Sequence, residues 1–303
     1  MTITPAEMTA AEHERFGRHA GYRALHAKGT LLKGTFTASP EAASLTRAGH
    51  MQGDPVPVTA RVSNGSGDPG VPDYAADVRG LAVKMYLPDD TRTDIVAQTA
   101  PRFVGNPPEK FAALLRSSKP GVSMAVKFPL FLLRNPAALA GLPANLPALR
   151  PPVSYATCRY YAIHAYRWVD AGGGERYVRY TFQPEAGDER LSPRAAKARG
   201  RDYLQEDIRT RIADGPVRFW LELQIAAPGD NVNDPEAEWP KDRQRVRAGT
   251  LELTDLETER ETGGDVLVFD PTRVVDGIEL SDDPVLRFRQ HAYSDSVAER
   301  MSS

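Results

Sequence analysis

The chain has 303 residues, of which 41% are hydrophobic and 26% are charged. This composition supplies enough apolar side chains for a buried core and excludes a chain that is disordered throughout. The formal net charge of −2 argues against a protein dedicated to binding nucleic acids or membrane surfaces, because such proteins rely on an excess of Lys and Arg. The single cysteine, Cys158, can form neither an internal disulfide nor a Cys-rich metal site.

The amino-terminal residues show no basic stretch followed by an apolar one, so no secretory signal is expected. A cytoplasmic location is therefore expected, and the lone cysteine fits a reducing compartment. The most apolar stretch, residues 122–149, contains charged residues and four prolines, so it is too interrupted to span a bilayer.

Periodicity and turn residues predict a chain that is mostly strands up to its last segment. In chain order we expect a helix at 6–20, an extended segment at 24–39 that contains His26, strands at 57–62 and 79–86, a helix at 107–117, strands at 160–170 and 175–183, helical spacing at 193–213, and strands at 217–227, 249–253 and 265–269. The glycines at 29 and 34 are positions where the first strand can bend or bulge. Consecutive strands with few helices between them predict an antiparallel sheet closed into a barrel.

The final segment, residues 281–300, has the strongest helix signature. Ser281 can cap it, Asp282 and Asp283 suit the positive end of a helix dipole, and Pro284 fits the first turn. Positions 285, 289 and 293 then share one face.

Single residues leave the chemistry open. His26, on its presumed strand, can be a structural histidine with satisfied hydrogen bonds. Tyr293 can be a core aromatic, and Arg289, one turn earlier, can pack on it at the surface. The order of the motifs that contain these residues is more specific than any one of them.

Five motifs occur in the order found in haem catalases, and from about residue 15 to 295 the sequence resembles this family in its shortest, single-barrel form. They are RALHAKG at 23–29, ARVS at 60–63 with DVRGLAVKMY at 77–86, DIVAQTAPRF at 94–103, FDPTRVVDGIELS at 269–281, and RQHAY at 289–293. The resemblance implies an α+β fold in one domain over residues 1–303. A helical segment at about 1–20, a closed antiparallel β-barrel with flanking helices at about 21–270 and a proximal helix at about 281–300 would form it.

The resemblance also implies a haem b cofactor whose iron has Tyr293 as its axial ligand. Tyrosinate is the haem ligand of catalases, and a neighbouring cation such as Arg289 favours the charged oxygen. His164 and Asp283 would stand behind Arg289 as an Arg–His–Asp relay. A strand histidine with a satisfied ring remains the alternative for His164.

On the opposite side of the haem, the resemblance makes His26 the general base and then the general acid that assists cleavage of the peroxide O–O bond. Ser63 would hold its other ring nitrogen. Further implied haem contacts, each also explicable as a solvated charge or as core packing, are the propionate partners Arg23, Arg61 and Arg289 and the flanking rings of Phe103 and Phe111.

Two departures from the family pattern bear on function. Gln98 occupies the position of the family's distal asparagine, and its extra methylene puts in doubt the alignment of a second peroxide. The chain ends ten residues after Tyr293, without the family's wrapping and helical domains. We therefore expect a wider channel and no bound NADPH, because the family's nicotinamide site depends on the missing region.

The leading hypothesis is a haem peroxidase. It would reduce organic hydroperoxides and hydrogen peroxide through a ferryl species, at the expense of small organic donors. Weak catalase activity and the fatty-acid hydroperoxide conversion of catalase-like allene oxide synthases are alternatives, as are a haem-storage protein and a metal-free lipocalin-like barrel. No nucleic acid partner and no membrane span are expected, and a homodimer is compatible with the sequence.

Overall fold

The computed structural model describes residues 3–258 and 267–290. Eight antiparallel strands form a closed barrel, and a short ninth strand extends the sheet beside the fifth. The strands are β1 Gly29–Ala38, β2 Val56–Asn64, β3 Arg79–Tyr86, β4 Arg92–Gln98, β5 Tyr160–Val169, β6 Glu175–Pro184, β7 Val217–Ile225, β8 Arg245–Leu256 and β9 Ile278–Leu280. The closed antiparallel barrel predicted from the sequence is confirmed.

The barrel consists of two four-stranded halves. Strands β1 to β4 follow one another in space as in sequence, and so do β5 to β8. A long ladder between β1 and β8 joins the halves on one side. On the other side the ladder between β4 and β5 is the single pair Gln98↔Tyr161.

Large side chains fill the interior of the barrel. Phe36, Trp168, Phe182 and Phe219 come from different strands, and each is at most 1% exposed. Along each strand these inward residues alternate with outward ones, as the period of two requires. The interior is a packed core, so a ligand site has to lie on an outer face or between the barrel and its helices.

Gly34 shows how the first strand follows the barrel's curvature. The register between β1 and β8 shifts between Lys33 and Gly34, which is the bulge anticipated from the sequence. A Cβ atom at Gly34 would lie 1.9 Å from the carbonyl oxygen of Glu252. Only glycine therefore allows β8 to approach this closely.

The helices lie outside the barrel. They are α1 Pro5–Phe16, α2 Pro40–Ala43, α3 Pro108–Ser117, α4 Met124–Arg134, α5 Pro136–Asn145, α6 Pro193–Ala198, α7 Tyr203–Asp214 and α8, which is described over 284–290, with short 3-10 turns at Gly49–Met51, Leu146–Leu149 and Tyr155–Thr157. Thr4 and Glu7 form a capping box that starts α1. Among the helices of residues 3–258 and 267–290, none is both long and apolar enough to cross a membrane.

Three expectations about elements differ from the structure. The first helix ends at Phe16 rather than at residue 20, because Gly17 has a φ of 85°. Strands β4 and β9 were not predicted, and neither were helices α2, α4 and α5. The described part of the expected strand at 265–269, residues 267–269, has no regular structure. Its side chains instead form an apolar cluster with Leu31.

An ion cluster fastens this carboxyl-terminal segment to the outer face of the barrel. Lys84 on β3 donates to both carboxylate oxygens of Asp94 on β4, at 2.6 and 2.8 Å, and both side chains are buried. Arg273 also donates to Asp94, at 2.9 Å, and the backbone N–H of Asp270 donates to the same carboxylate. The segment around Asp270 is therefore held across β3 and β4.

We expect the Asp94→Asn variant to lose about 3 kcal/mol in free energy of unfolding, because the Lys84 ammonium would remain buried without its counter-charge. Denaturant unfolding of the purified variant measures this loss. Glu252→Gln, which removes a charge from the half-exposed Arg218–Glu252 pair at 2.5 Å, is the matched control and should leave stability nearly unchanged. Equal effects of the two substitutions would contradict this account.

Candidate active site

His26 lies in a loop that leads into β1, not on a strand as the sequence suggested. Its φ is 55°, in the left-handed region that few non-glycine residues adopt. Backbone hydrogen bonds from His26 N to Gly65 O and from Ala27 N to Ser66 O hold this conformation. The surrounding backbone therefore fixes the direction of the imidazole, a form of local strain that is common at functional sites.

The ring of His26 is fixed by Ser63 and by the shape of β3. Nδ1 of His26 and Oγ of Ser63 are 3.0 Å apart, which leaves Nε2 as the nitrogen that can exchange a proton with a ligand. A Cβ atom at Gly80 would lie 2.8 Å from both His26 Nδ1 and Ser63 Oγ. Gly80 is thus a site residue that sequence reasoning missed, although its motif had been recognised.

The strand register places Ser63, Gly80 and Gln98 in one row across the sheet. Ser63 pairs with Gly80, Gly80 pairs with Gln98, and Gln98 pairs with Tyr161. Cross-strand partners share a face of the sheet, so Ser63 and Gln98 are on the same side. The amide Nε2 of Gln98 donates to Ala100 O at 3.4 Å.

Positive charge surrounds His26. Burial is the main cause that lowers the pKa of His26 to about 3, and the charges of Arg61, Arg289 and Arg23 lower it further. The imidazole is therefore neutral at physiological pH. Arg61 contacts the backbone of His26, whereas Arg23 and Arg289 act on His26 through their charges.

Two of these arginines are anchored by backbone carbonyls. Arg61, which is 6% exposed, donates to His26 O at 2.8 Å and to Ala27 O at 3.0 Å. Arg23 donates to Leu267 O at 2.8 Å and lies over the ring of Phe269. Arg61 thus supports the loop that carries His26, while Arg23 links that loop to the segment held by Asp94.

Phe103 and Phe111 contact each other, with ring centroids 5.1 Å apart. The loop between them is tied to a distant segment, since Gly105 N donates to Glu236 Oε1 at 2.7 Å and Asn106 Nδ2 donates to Asp234 Oδ1 at 2.8 Å. These two acidic residues were not predicted, because nothing local in the sequence connects them with this loop.

His164 lies on a bulge of β5. The register to β6 shifts between Ala162 and Tyr166, so three residues of β5 stand opposite Arg179 alone. Bulges redirect side chains out of the alternating pattern. Here the bulge buries His164, which is 1% exposed, and places it against the helix at the end of the chain.

The hydrogen bonds of His164 fix its tautomer. Arg289 Nη1 lies 3.3 Å from Nε2, and a guanidinium group can only donate, so Nε2 must accept. The ring proton is therefore on Nδ1, which donates to Asp283 Oδ2 at 2.7 Å. The three side chains are connected in the order that the sequence suggested.

Asp283, and not Ser281, caps α8. Oδ1 of Asp283 accepts hydrogen bonds from Val285 N at 2.8 Å and Leu286 N at 3.2 Å, whereas the buried hydroxyl of Ser281 has no partner among the described residues. One carboxylate thus starts the helix and orients His164. Tyr293 follows in this segment but lies outside the described residues.

Comparison with known proteins identifies the family. A statistical model of the family described as "Catalase" matches residues 6–303. The chain belongs to the catalase family. A catalase-related peroxidase of Mycolicibacterium paratuberculosis (strain ATCC BAA-968 / K-10) is 48% identical over 97% of this chain and 94% of its own length. A catalase-related peroxidase of Synechococcus elongatus is 32% identical over 98% of this chain and 89% of its own length.

Solved catalases share the fold. A fungal catalase superposes with a TM-score of 0.83 at 25% identity, covering 94% of this chain and 61% of that one. Catalase A from Saccharomyces cerevisiae gives the same TM-score at 23% identity, over 94% and 62% of the two chains. The chain thus spans about three fifths of these catalases. Membership of the family implies a haem cofactor and oxidoreductase activity of the peroxidase or catalase type.

The donor set of the site fits haem. The charges of three guanidinium groups act on a neutral imidazole, and such a concentration of positive charge suits a ligand that carries two carboxylates. The imidazole, with Nδ1 occupied by Ser63, presents Nε2. The charges of the site in this catalase-family chain therefore match a cofactor with two acidic substituents.

We expect the Gly80→Ala variant to retain haem but to lose turnover by about 100-fold, because the new methyl group would displace the imidazole of His26 by a fraction of an ångström or more. The visible spectrum and peroxide-dependent dye oxidation measure the two effects. Gly172→Ala, where the added Cβ would be 3.4 Å from Asp170 Oδ1 in an exposed hairpin, should change neither. Unchanged turnover of Gly80→Ala would contradict the proposed close packing.

The low pKa of His26 predicts how stability depends on pH. The unfolded chain binds a proton at His26 near pH 6.5, whereas the folded chain does so only near pH 3. Between these values the unfolded state holds more protons, so the free energy of unfolding falls as the pH is lowered. His50, whose pKa burial lowers to about 4, contributes in the same direction.

Chemical unfolding at several pH values between 4.5 and 6.5 tests this expectation. The His26→Gln variant should have a shallower slope of unfolding free energy against pH, by about 1.4 kcal/mol per pH unit for one proton. His50→Gln should flatten the slope similarly. A slope for His26→Gln as steep as that of the parent protein would show that His26 titrates normally.

Proposed function

We propose that the protein is a haem b peroxidase that reduces organic hydroperoxides and hydrogen peroxide with electrons from small organic donors. The overall reaction is ROOH + 2 AH → ROH + H₂O + 2 A•, where AH is a one-electron donor. The observation that carries the proposal is the neutral His26, whose Nδ1 is held by Ser63 and whose Nε2 is left for proton transfer. A haem carrier has no use for such a group.

The residues around His26 would hold the cofactor. Arg23, Arg61 and Arg289 would supply cations for the two propionates, and Phe103 and Phe111, whose rings contact each other, would supply apolar surface for the porphyrin. When bound, the haem supplies the iron centre at which the peroxide bond is cleaved and from which electrons are exchanged.

Tyr293 is proposed as the axial ligand of the iron. It follows Arg289 by four residues, which is one helical turn, and a nearby guanidinium charge favours a phenolate over a phenol. Arg289 is oriented by the neutral His164, and His164 is oriented by Asp283. This order of contacts fixes the position of the Arg289 guanidinium group.

His26 moves the proton. Nε2 accepts a proton from the hydroperoxide and delivers it to the oxygen of the departing alcohol or water, so that the O–O bond breaks without releasing an alkoxide or hydroxide. Ser63 preserves the ring orientation through Nδ1, and Gly80 leaves room for both side chains. The neutral state of the imidazole before the reaction suits the first of these transfers.

Gln98 supports peroxidase over catalase chemistry. Its side chain is longer than that of the family's asparagine, and its amide N–H is directed to the carbonyl of Ala100. Disproportionation of hydrogen peroxide needs a second peroxide in strict alignment, and displacements of about 1 Å are costly. Organic donors that deliver single electrons do not need this alignment.

The His26→Ala variant tests the function. We expect it to bind haem but to turn over at least about 100-fold more slowly in dye oxidation with an organic hydroperoxide, which is the effect of a lost general acid–base group. His19→Ala is the control, because Nε2 of His19 contacts the backbone oxygen of Phe16 and the surface carboxylate of Asp68. An unchanged rate for His26→Ala would favour the alternative that the protein stores or carries haem.

Product analysis in the same assays separates the enzymatic alternatives. Oxidised dye with little oxygen release supports the peroxidase, abundant oxygen from hydrogen peroxide indicates a catalase, and an epoxide from a fatty-acid hydroperoxide indicates an allene oxide synthase. Tyr293→Phe, read by its visible spectrum, should alter the haem bands or leave the site empty. Bands identical to those of the parent protein would exclude Tyr293 as the ligand.

A further inference from the structure

Exposed apolar side chains are concentrated in one part of the molecule. Seven of the eight large hydrophobic residues that are exposed in the described chain lie between residues 122 and 146. They are Val122, Met124, Val126, Leu130, Leu133, Leu139 and Leu146, and we call this surface of α4, α5 and their flanks the α4–α5 face. Single exposed apolar residues are ordinary, but a cluster of this kind marks an interaction surface.

Helix α4 exposes the apolar side of its sequence. Val126, Leu130 and Leu133 are spaced by four and three residues, so they lie along one side of the helix. Val126 is 69% exposed and Leu133 is 75% exposed, whereas Phe131, on the opposite side, is 7% exposed and packs inward. The helix is thus attached through one side and leaves a second apolar side in solvent.

The charged residues of the α4–α5 segment itself have one sign. Lys127 and Arg134 are exposed and are separated by seven residues, or two helical turns. The sequence contains no Asp or Glu from residue 110 to residue 169, while Lys119 and Arg150 add positive charge at the two ends of the helical segment. The net charge of −2 for the whole chain conceals this local excess of cations.

We propose that the α4–α5 face docks on the surface of an anionic lipid bilayer. Exposed apolar side chains with Lys and Arg beside them are the features of helices that lie in the membrane interface, where apolar groups enter the acyl boundary and cations meet lipid phosphates. With 11 and 10 residues, α4 and α5 are suited to lie along the surface rather than to cross it.

Charge complementarity favours a lipid surface over a second copy of the chain. In a two-fold dimer through this face, Lys127 and Arg134 of both copies would approach one another, and the segment offers no carboxylate to pair with them. An anionic bilayer neutralises both cations and accepts the apolar side chains in the same contact. The proposal concerns docking alone and does not depend on the peroxidase reaction.

Sedimentation with large unilamellar vesicles tests the proposal, using the purified holoprotein. We expect binding to vesicles of equimolar phosphatidylglycerol and phosphatidylcholine, and much weaker binding to phosphatidylcholine alone or at high salt. Lys127→Glu/Arg134→Glu should weaken the partition to anionic vesicles at least about 10-fold. Val126→Ser/Leu133→Ser should weaken it at least about 10-fold by removing buried apolar area.

The control reverses two charges elsewhere. Arg194→Glu/Lys197→Glu changes two exposed cations on α6 and should leave vesicle binding within about 2-fold of the parent. All four substituted positions on α4 are exposed, and thermal unfolding checks that the variants remain folded. Equal losses in the α6 and α4 charge variants would reduce the effect to general electrostatics and overturn the assignment of the face.

Other outcomes also overturn the proposal. An absence of vesicle binding would refute it. A concentration-dependent dimer in size-exclusion chromatography that Val126→Ser/Leu133→Ser abolishes, without vesicle binding, would assign the face to contact between copies. Binding that is equal on neutral and anionic vesicles would remove the role of Lys127 and Arg134.

Discussion

The carboxylate of Asp283 is the contact on which one half of the site depends. One oxygen accepts two backbone N–H groups at the start of α8, and the other accepts the ring proton of His164. The first pair of bonds sets where the helix begins, and therefore where Arg289 is placed along it. The last bond leaves His164 Nε2 as an acceptor for Arg289. A single buried acid thus determines both the position and the orientation of the guanidinium group.

The other half of the site depends on the outer face of the barrel. Gly80 has no side chain, and the space this leaves is occupied by the ring of His26 and the hydroxyl of Ser63. Because the barrel interior is filled by large side chains, the residues of the candidate site lie outside it, on the face where α1, α3 and α8 do not share the barrel core but form an apolar cluster of their own. The sheet sets the positions of Ser63, Gly80 and Gln98, and the loop carries His26, the proposed acid–base group.

Much of this arrangement was accessible from the sequence, because the family motifs carry His26, Ser63, His164 and Arg289 in order. The parts that were not accessible depend on partners distant in the chain. The conformation of His26 follows from hydrogen bonds to residues 65 and 66, so the local pattern wrongly suggested a strand. Aspartate is uncommon in strands, so Asp94 suggested a loop. In the fold, Lys84 on the neighbouring strand neutralises its charge, and β4 was missed because this pairing is not visible in the local sequence.

The choice between two capping residues illustrates the same limit. Ser281 and Asp283 are both residue types that start helices, and only the position of His164 on its bulge selects the aspartate. In the same way, the net charge of the whole chain does not reveal the cationic stretch around α4. Composition and local spacing identify residue types, whereas the fold decides which of them meet.

The seam between β4 and β5, which is the single pair Gln98↔Tyr161, is a short connection in the barrel wall and includes a residue of the candidate site. The strands of this closed barrel are joined there by one residue pair, and that pair includes Gln98. Segments held by few backbone hydrogen bonds open more readily than long ladders do. Transient separation of the two half-barrels would start at this pair and would therefore move the amide of Gln98. A longer ladder between β4 and β5 would therefore reduce the opening of the barrel and hold the side chain of Gln98 in a more constant position.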